Sequence, residues 1–103
     1  MKIGIIGVGK RFLNVYHDVL TKFNTELFVW NRTNSKSKQY CDSYNQNLIS
    51  NLKEFENLEL DLCLCFIPSQ KSYDVLSEIN LKCALLIETP VEDQRWCNKD
   101  NVG

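Results

Sequence analysis

Gly7-Val8-Gly9 is the first place in this chain where residue types and spacing point to chemistry. It follows Lys2-Ile3-Gly4-Ile5-Ile6, a short apolar run rich in β-branched residues that reads as a buried strand. From Arg11 onward the apolar residues recur at helical spacing. Between a strand and a helix, a G-x-G turn has a specific use. The first glycine permits a tight turn, and the second lets a phosphate come close to the backbone. The helix start then aims unpaired N–H groups and the positive end of its dipole at that phosphate. Gly7, Val8, Gly9, Lys10, Arg11 and Phe12 therefore form a candidate cradle for a dinucleotide cofactor. Lys10 and Arg11 either add phosphate contacts or are plain surface charges, since cations do not help the dipole at this end of a helix. One departure stands out: the third glycine of G-x-G-x-x-G is Phe12, whose bulk predicts a first helix that stands off the sheet or tilts.

A second group lies about 20 residues past the glycines, where an NAD site wants a carboxylate to bond the ribose 2′-hydroxyl. This chain has Asn31-Arg32-Thr33 there, with Lys36 close behind. Arginine clamps a 2′-phosphate through charge-assisted bonds and stacks on adenine, so the position reads as preferring NADP over NAD. Two further strand ends, Ile67-Pro68-Ser69 and Glu88-Thr89-Pro90, complete the expected ligand edge. His17, the only histidine, falls in the first helix and reads as an exposed residue away from that edge. No Ser-His-Asp or Cys-His arrangement can be assembled around it. The five cysteines are odd in number and none is spaced C-x-x-C, so neither a redox motif nor a zinc site is suggested. Cys63 and Cys65, two apart in an apolar run, read as small buried hydrophobes on one face of a strand.

The elements that would position these groups alternate along the chain. After the first strand, Phe12, Val15, Tyr16, Val19, Leu20 and Phe23 form an amphipathic stripe. Glu26 to Trp30 is a second strand. A polar helix over 35–44 follows, with Asn34 as a candidate cap. Leu48-Ile49 is a very short third strand. Ser50 caps a short helix through Leu52 and Phe55. Leu60 to Ile67 is a fourth strand, with Asp61 at the sheet's rim, and Pro68 ends it. A helix with Tyr73, Val75, Leu76 and Ile79 on its stripe leads to a fifth strand, 83–87. Strands alternating with helices predict right-handed crossovers and an α/β fold. The expectation is a three-layer α/β/α Rossmann-like parallel sheet of order 3-2-1-4-5. Residues 1–90 form that domain, and 91–103 read as a polar tail leading toward a substrate domain that this chain does not contain.

Bulk properties narrow the partners. Twelve basic against thirteen acidic residues leave a net charge of -1, which gives no support to nucleic-acid binding. No apolar run approaches the roughly 18 residues of a membrane span. Reduced cysteines agree with a cytoplasmic location.

KIGIIGVG at the start, Phe66-Ile67-Pro68-Ser69 at the fourth strand end, and Leu86-Ile87-Glu88-Thr89-Pro90 at the fifth resemble the N-terminal domain of the Gfo/Idh/MocA oxidoreductases. The resemblance covers about the first 90 residues. It implies an NAD(P)-binding domain that acts, with a second α+β domain, on a sugar or sugar nucleotide by hydride transfer. In that family the fifth strand ends in Glu-Lys-Pro, and the lysine takes part in proton transfer. Here Thr89 stands at the lysine position and has no amine to act as acid or base. Asn31-Arg32-Thr33 also looks like the NADP-binding turn of the 6-phosphogluconate and β-hydroxyacid dehydrogenases, which carry glycine where Phe12 stands. Three readings follow: the cofactor domain of an oxidoreductase, a nucleotide-binding module without turnover, or a fragment without independent function.

Overall fold

The computed structural model describes residues 1–10, 12–67 and 74–87. The first apolar run forms β1, Lys2–Ile6, and every residue of it after Lys2 is buried, as expected for a strand covered on both faces. Beside it lies β2, Glu26–Trp30, in parallel register from Lys2 against Glu26 to Ile6 against Trp30. On the other side β4, Leu62–Cys65, pairs with β1 and then with β5, Ala84–Ile87. The short β3, Asn47–Leu48, closes the opposite edge against β2. All these pairings are parallel, and the order of the five-stranded sheet is β3-β2-β1-β4-β5, as the alternation of elements predicts. Strand order reverses between β1 and β4, which is where an open parallel sheet leaves a crevice at its carboxyl edge.

Alternation along the strands divides the core between the two faces. On one face Ile3, Ile5, Leu27, Val29 and Leu64 pack with Phe12, Tyr40 and Cys41 from the first two helices. On the other, Ile6, Cys63, Cys65, Leu85 and Ile87 pack with Phe55, Leu76 and Ile79. Cys63 and Cys65 are fully buried on that second face, in the role of small hydrophobes. Phe55 belongs to a 3₁₀ helix, Leu52–Asn57, whose cap is Asn51 rather than Ser50: its side chain accepts from the Lys53 N–H at 3.0 Å. Residues 74–76 are helical and carry Leu76 into the same layer, while Tyr73 and the Pro68 turn lie outside the described residues.

The first helix departs from the expected stripe. A π-helical turn, Phe12–Tyr16, runs directly into α1, His17–Thr21. A π turn contains an extra residue, so the inward face passes from Phe12 to Tyr16 and His17 and then to Leu20. Val15, Val19 and Phe23, which straight α-helical spacing would bury, are exposed instead. His17 is only 9% exposed, not the surface histidine expected, because that change of phase turns it inward. Its Nδ1 lies 2.7 Å from the Tyr40 hydroxyl on α2, Asn34–Tyr44. Phe12 is wholly buried, with its ring 5.3 Å from those of both Tyr40 and Phe66. The side chain at the third glycine position thus fills the space between helix and sheet as core.

The segment 44–50 resists periodicity because side-chain amides do part of the pairing. Gln46 Oε1 accepts from the Leu27 N–H at 3.2 Å, and Asn47 Nδ2 donates to the Leu27 carbonyl at 3.1 Å. Asn45 turns the chain out of α2 in the left-handed conformation, which asparagine tolerates well. Among the described residues no helix is long and apolar enough to cross a membrane.

Candidate functional site

Because every strand runs the same way, the residues after β1, β2 and β4 gather at one edge. Gly7 leaves β1 with φ +99°, a conformation that L side chains rarely adopt. A Cβ there would lie 3.2 Å from Ile67 Cγ1 and 3.4 Å from the Ile67 nitrogen, so the turn is backed directly by the end of β4. The Gly7 N–H donates to the Trp30 carbonyl at 2.8 Å, and that of Phe66 to the Ile6 carbonyl at 2.8 Å. These bonds hold the three strand ends together. Ile67 is buried and serves this packing.

Gly9 is different. A Cβ on Gly9 would meet nothing within 4 Å, so its backbone faces open space. Its carbonyl accepts from the Leu13 N–H at 3.1 Å, which makes Gly9 the residue that starts the helix. The N–H groups of Gly9, Lys10 and Phe12 have no hydrogen-bond partner among the described residues. Val8 does not add to them. Its side chain is in the core, and its N–H is spent on Asn31 Oδ1 at 2.9 Å. Phe12 likewise offers only its backbone to a ligand, because its ring is buried.

Asn31 carries a second bond: its Nδ2 donates to the Thr33 carbonyl at 3.0 Å. Thr33 caps α2 with extended backbone, and its carbonyl also receives the Lys36 N–H at 3.0 Å. Arg32 sits exposed between these anchors. Two cavities flank its loop. One, about 550 Å³, is lined by Trp30, Arg32, Leu52, Asp74, Val75 and Glu78. The other, about 420 Å³, runs from Gly9 and Lys10 to Lys36, Gln39, Tyr40 and Tyr44. Their charges differ in kind: the first mixes an arginine with two carboxylates and apolar walls, whereas the second presents two amines and no carboxylate.

Of the residues singled out in the sequence, the structure brings together Gly7, Val8, Gly9, Lys10, Phe12, Asn31, Arg32, Thr33, Lys36 and Ile67. Arg11, Pro68, Ser69, Glu88, Thr89 and Pro90 lie outside the described residues. Trp30, Val75, Glu78, Tyr40 and Tyr44 were not anticipated as site residues. Tyr40 and Tyr44 are four apart on α2, a spacing that places both on the face toward α1 and that was readable in principle.

Nucleophilic chemistry finds no support in the described thiols. Burial pushes the Cys65 thiol up to about 11 and raises that of Cys63 well above its usual range, so both stay protonated near neutral pH. His17 is occupied with Tyr40 inside the helical layer. Among the described residues no three of His, Cys, Asp or Glu converge as a metal site. The edge thus brings together the unspent N–H groups at the helix start and the amines of Lys10 and Lys36, with no carboxylate lining the cavity between them.

No protein-family model and no curated protein matches this sequence. Among solved structures it is similar to crystal structures of 1-pyrroline-5-carboxylate reductase from Streptococcus pyogenes, with a TM-score of 0.78 and 24% identity. The likeness covers 100% of this chain and 39% of that one. At that identity it establishes a shared Rossmann-like fold, and the chain spans well under half of the reductase's length.

Proposed function

We propose that this chain is the NAD(P)-binding domain of an oxidoreductase and that it prefers NADP. The observation that carries the reading is the start of the first helix: the N–H groups of Gly9, Lys10 and Phe12 are unspent, and a Cβ at Gly9 would find only open space. Those groups suit a pyrophosphate. Arg32, exposed on the loop between the two cavities, suits the 2′-phosphate, with Lys36 close behind on the wall of the second cavity. The cavity beside Trp30 and Val75 suits an uncharged adenine, on which the same Arg32 guanidinium can stack. When bound, the nicotinamide supplies hydride at its C4; the described residues bind and orient.

Two substrate classes are in play. The Gfo/Idh/MocA resemblance favours a sugar or sugar nucleotide, and the structural neighbour is a reductase of a cyclic imine, 1-pyrroline-5-carboxylate. Thr89, with no amine at the family's lysine position, supports a further reading in which these residues hold the nucleotide without turning it over. The free cysteines suit the reducing cytoplasm.

Titration calorimetry with NADP(H) and NAD(H) tests the proposal. The expected result is micromolar NADP(H) binding, weaker NAD(H) binding and no dehydrogenase turnover by residues 1–103. Binding of neither dinucleotide refutes it. Arg32→Asp is expected to abolish the preference; should NADP still bind more tightly, Arg32 is not the phosphate clamp.

A further inference from the structure

We infer that Asn31 is a positioning residue that sets the cofactor preference by holding Arg32 between two fixed points, and not by touching the cofactor. The inference rests on the NADP reading above and assigns the device behind it. Both functional ends of the Asn31 amide are already used. Oδ1 accepts from the Val8 N–H in the glycine turn at 2.9 Å, and Nδ2 donates to the Thr33 carbonyl at the start of α2 at 3.0 Å. One side chain therefore ties the turn after β1 to the turn after β2, across 23 residues of sequence. Arg32 is the single residue between the bond's origin and its target. Its backbone is confined while its side chain stays exposed.

Only an amide does this. A carboxylate at 31 would keep the acceptor for Val8. Its second oxygen, however, would stand about 3.0 Å from the Thr33 carbonyl oxygen, and two acceptors at that distance repel. The residue type that an NAD site wants at the end of the second strand is thus incompatible with this loop conformation. The link between residue 31 and cofactor choice runs through loop geometry.

The test compares Asn31→Asp and Asn31→Ala, each alone and combined with Arg32→Ala. The readouts are the ratio of NADP(H) to NAD(H) affinity by calorimetry and amide hydrogen exchange at Val8 and Lys36. Asn31→Asp is expected to leave Val8 protected, expose Lys36, and lower the affinity ratio about tenfold, the size of one lost hydrogen bond. Asn31→Ala is expected to speed exchange at both amides and lower the ratio similarly. In the Arg32→Ala background neither substitution changes the ratio further. If the ratio falls by the same factor without Arg32, Asn31 acts by direct contact or by charge, and the inference is overturned. It is also overturned if Val8 exchange is unchanged in Asn31→Ala, or if both variants keep the wild-type ratio. A wild-type chain that binds neither dinucleotide overturns the proposed function itself, which separates the two failures.

Discussion

Gly9→Ser separates the anion cradle from the fold. Gly9 starts the helix, its backbone is outside the left-handed region, and a Cβ there meets nothing within 4 Å. Serine is a better helix cap than glycine by a few tenths of a kcal/mol, so stability is expected to hold within about 0.5 kcal/mol of wild type or rise slightly. The same hydroxyl that caps the helix would accept from the first-turn N–H groups, and its Cβ would occupy the open space over them. Each N–H bond to a charged phosphate is worth ~1.5–3 kcal/mol, and ~1.4 kcal/mol is tenfold in affinity. Losing two such bonds lowers dinucleotide affinity about a hundredfold or more. Gly7→Ala is the contrasting substitution. At φ +99° with Ile67 3.2 Å away, it strains the backbone by about 1–3 kcal/mol. For a chain of this size that lowers Tm by ~4–8 °C per kcal/mol. Thermal unfolding and calorimetry on both variants decide the matter. If Gly9→Ser binds NADP(H) as wild type does, the helix start is not the phosphate site.

Two further predictions follow from the packing. Phe12→Ala is expected to destabilise the chain by roughly 3–5 kcal/mol in urea unfolding, because the ring is wholly buried among Tyr40, His17 and Phe66; a cost below about 1 kcal/mol would show that the helix does not pack through it. Alkaline pH is expected to weaken the fold. Burial pushes the Cys41 and Cys65 thiols from the ordinary 9.0 up to about 11 and raises Cys63 and Tyr40 as well. The folded chain therefore holds these protons more tightly than the unfolded one. Their contribution is complete below the ordinary thiol value and is lost as pH climbs through the folded values, with roughly 2–3 kcal/mol from Cys65 alone. A urea midpoint that stays level from about pH 7 to about pH 10.5 would contradict this.

The strands were legible because their signals are local. A β-branched run ending in a glycine turn, an aromatic run ending in Asn31-Arg32, and an apolar run ending near Ile67 each announce themselves within a few residues. Strict alternation with helices then leaves few topologies, and the order β3-β2-β1-β4-β5 is the one expected. The glycine turn and Arg32 could be named as candidate site residues for the same reason: each sits where a strand stops. The amide-rich stretch around Gln46 and Asn47 had no such signal, since its hydrogen bonds run from side chains to the Leu27 backbone.

What only the tertiary structure decided involves partners far apart in sequence. The π turn at Phe12–Tyr16 rotates the first helix so that His17 meets Tyr40 and Val15 and Val19 face outward. No spacing rule foresees this, because the rule assumes an unbroken α-helical period. Phe12 reads as a defect in a glycine motif until the sheet, α2 and Phe66 surround it; it is then a core residue. Gly7-Val8-Gly9 reads as one cradle, yet in the fold its members divide the work. Gly7 makes the turn, Val8 anchors it to Asn31, and Gly9 alone leaves its backbone open. The local sequence places a glycine turn and a helix start at the end of β1. The bond across 23 residues from Val8 to Asn31 determines which N–H groups there remain unspent.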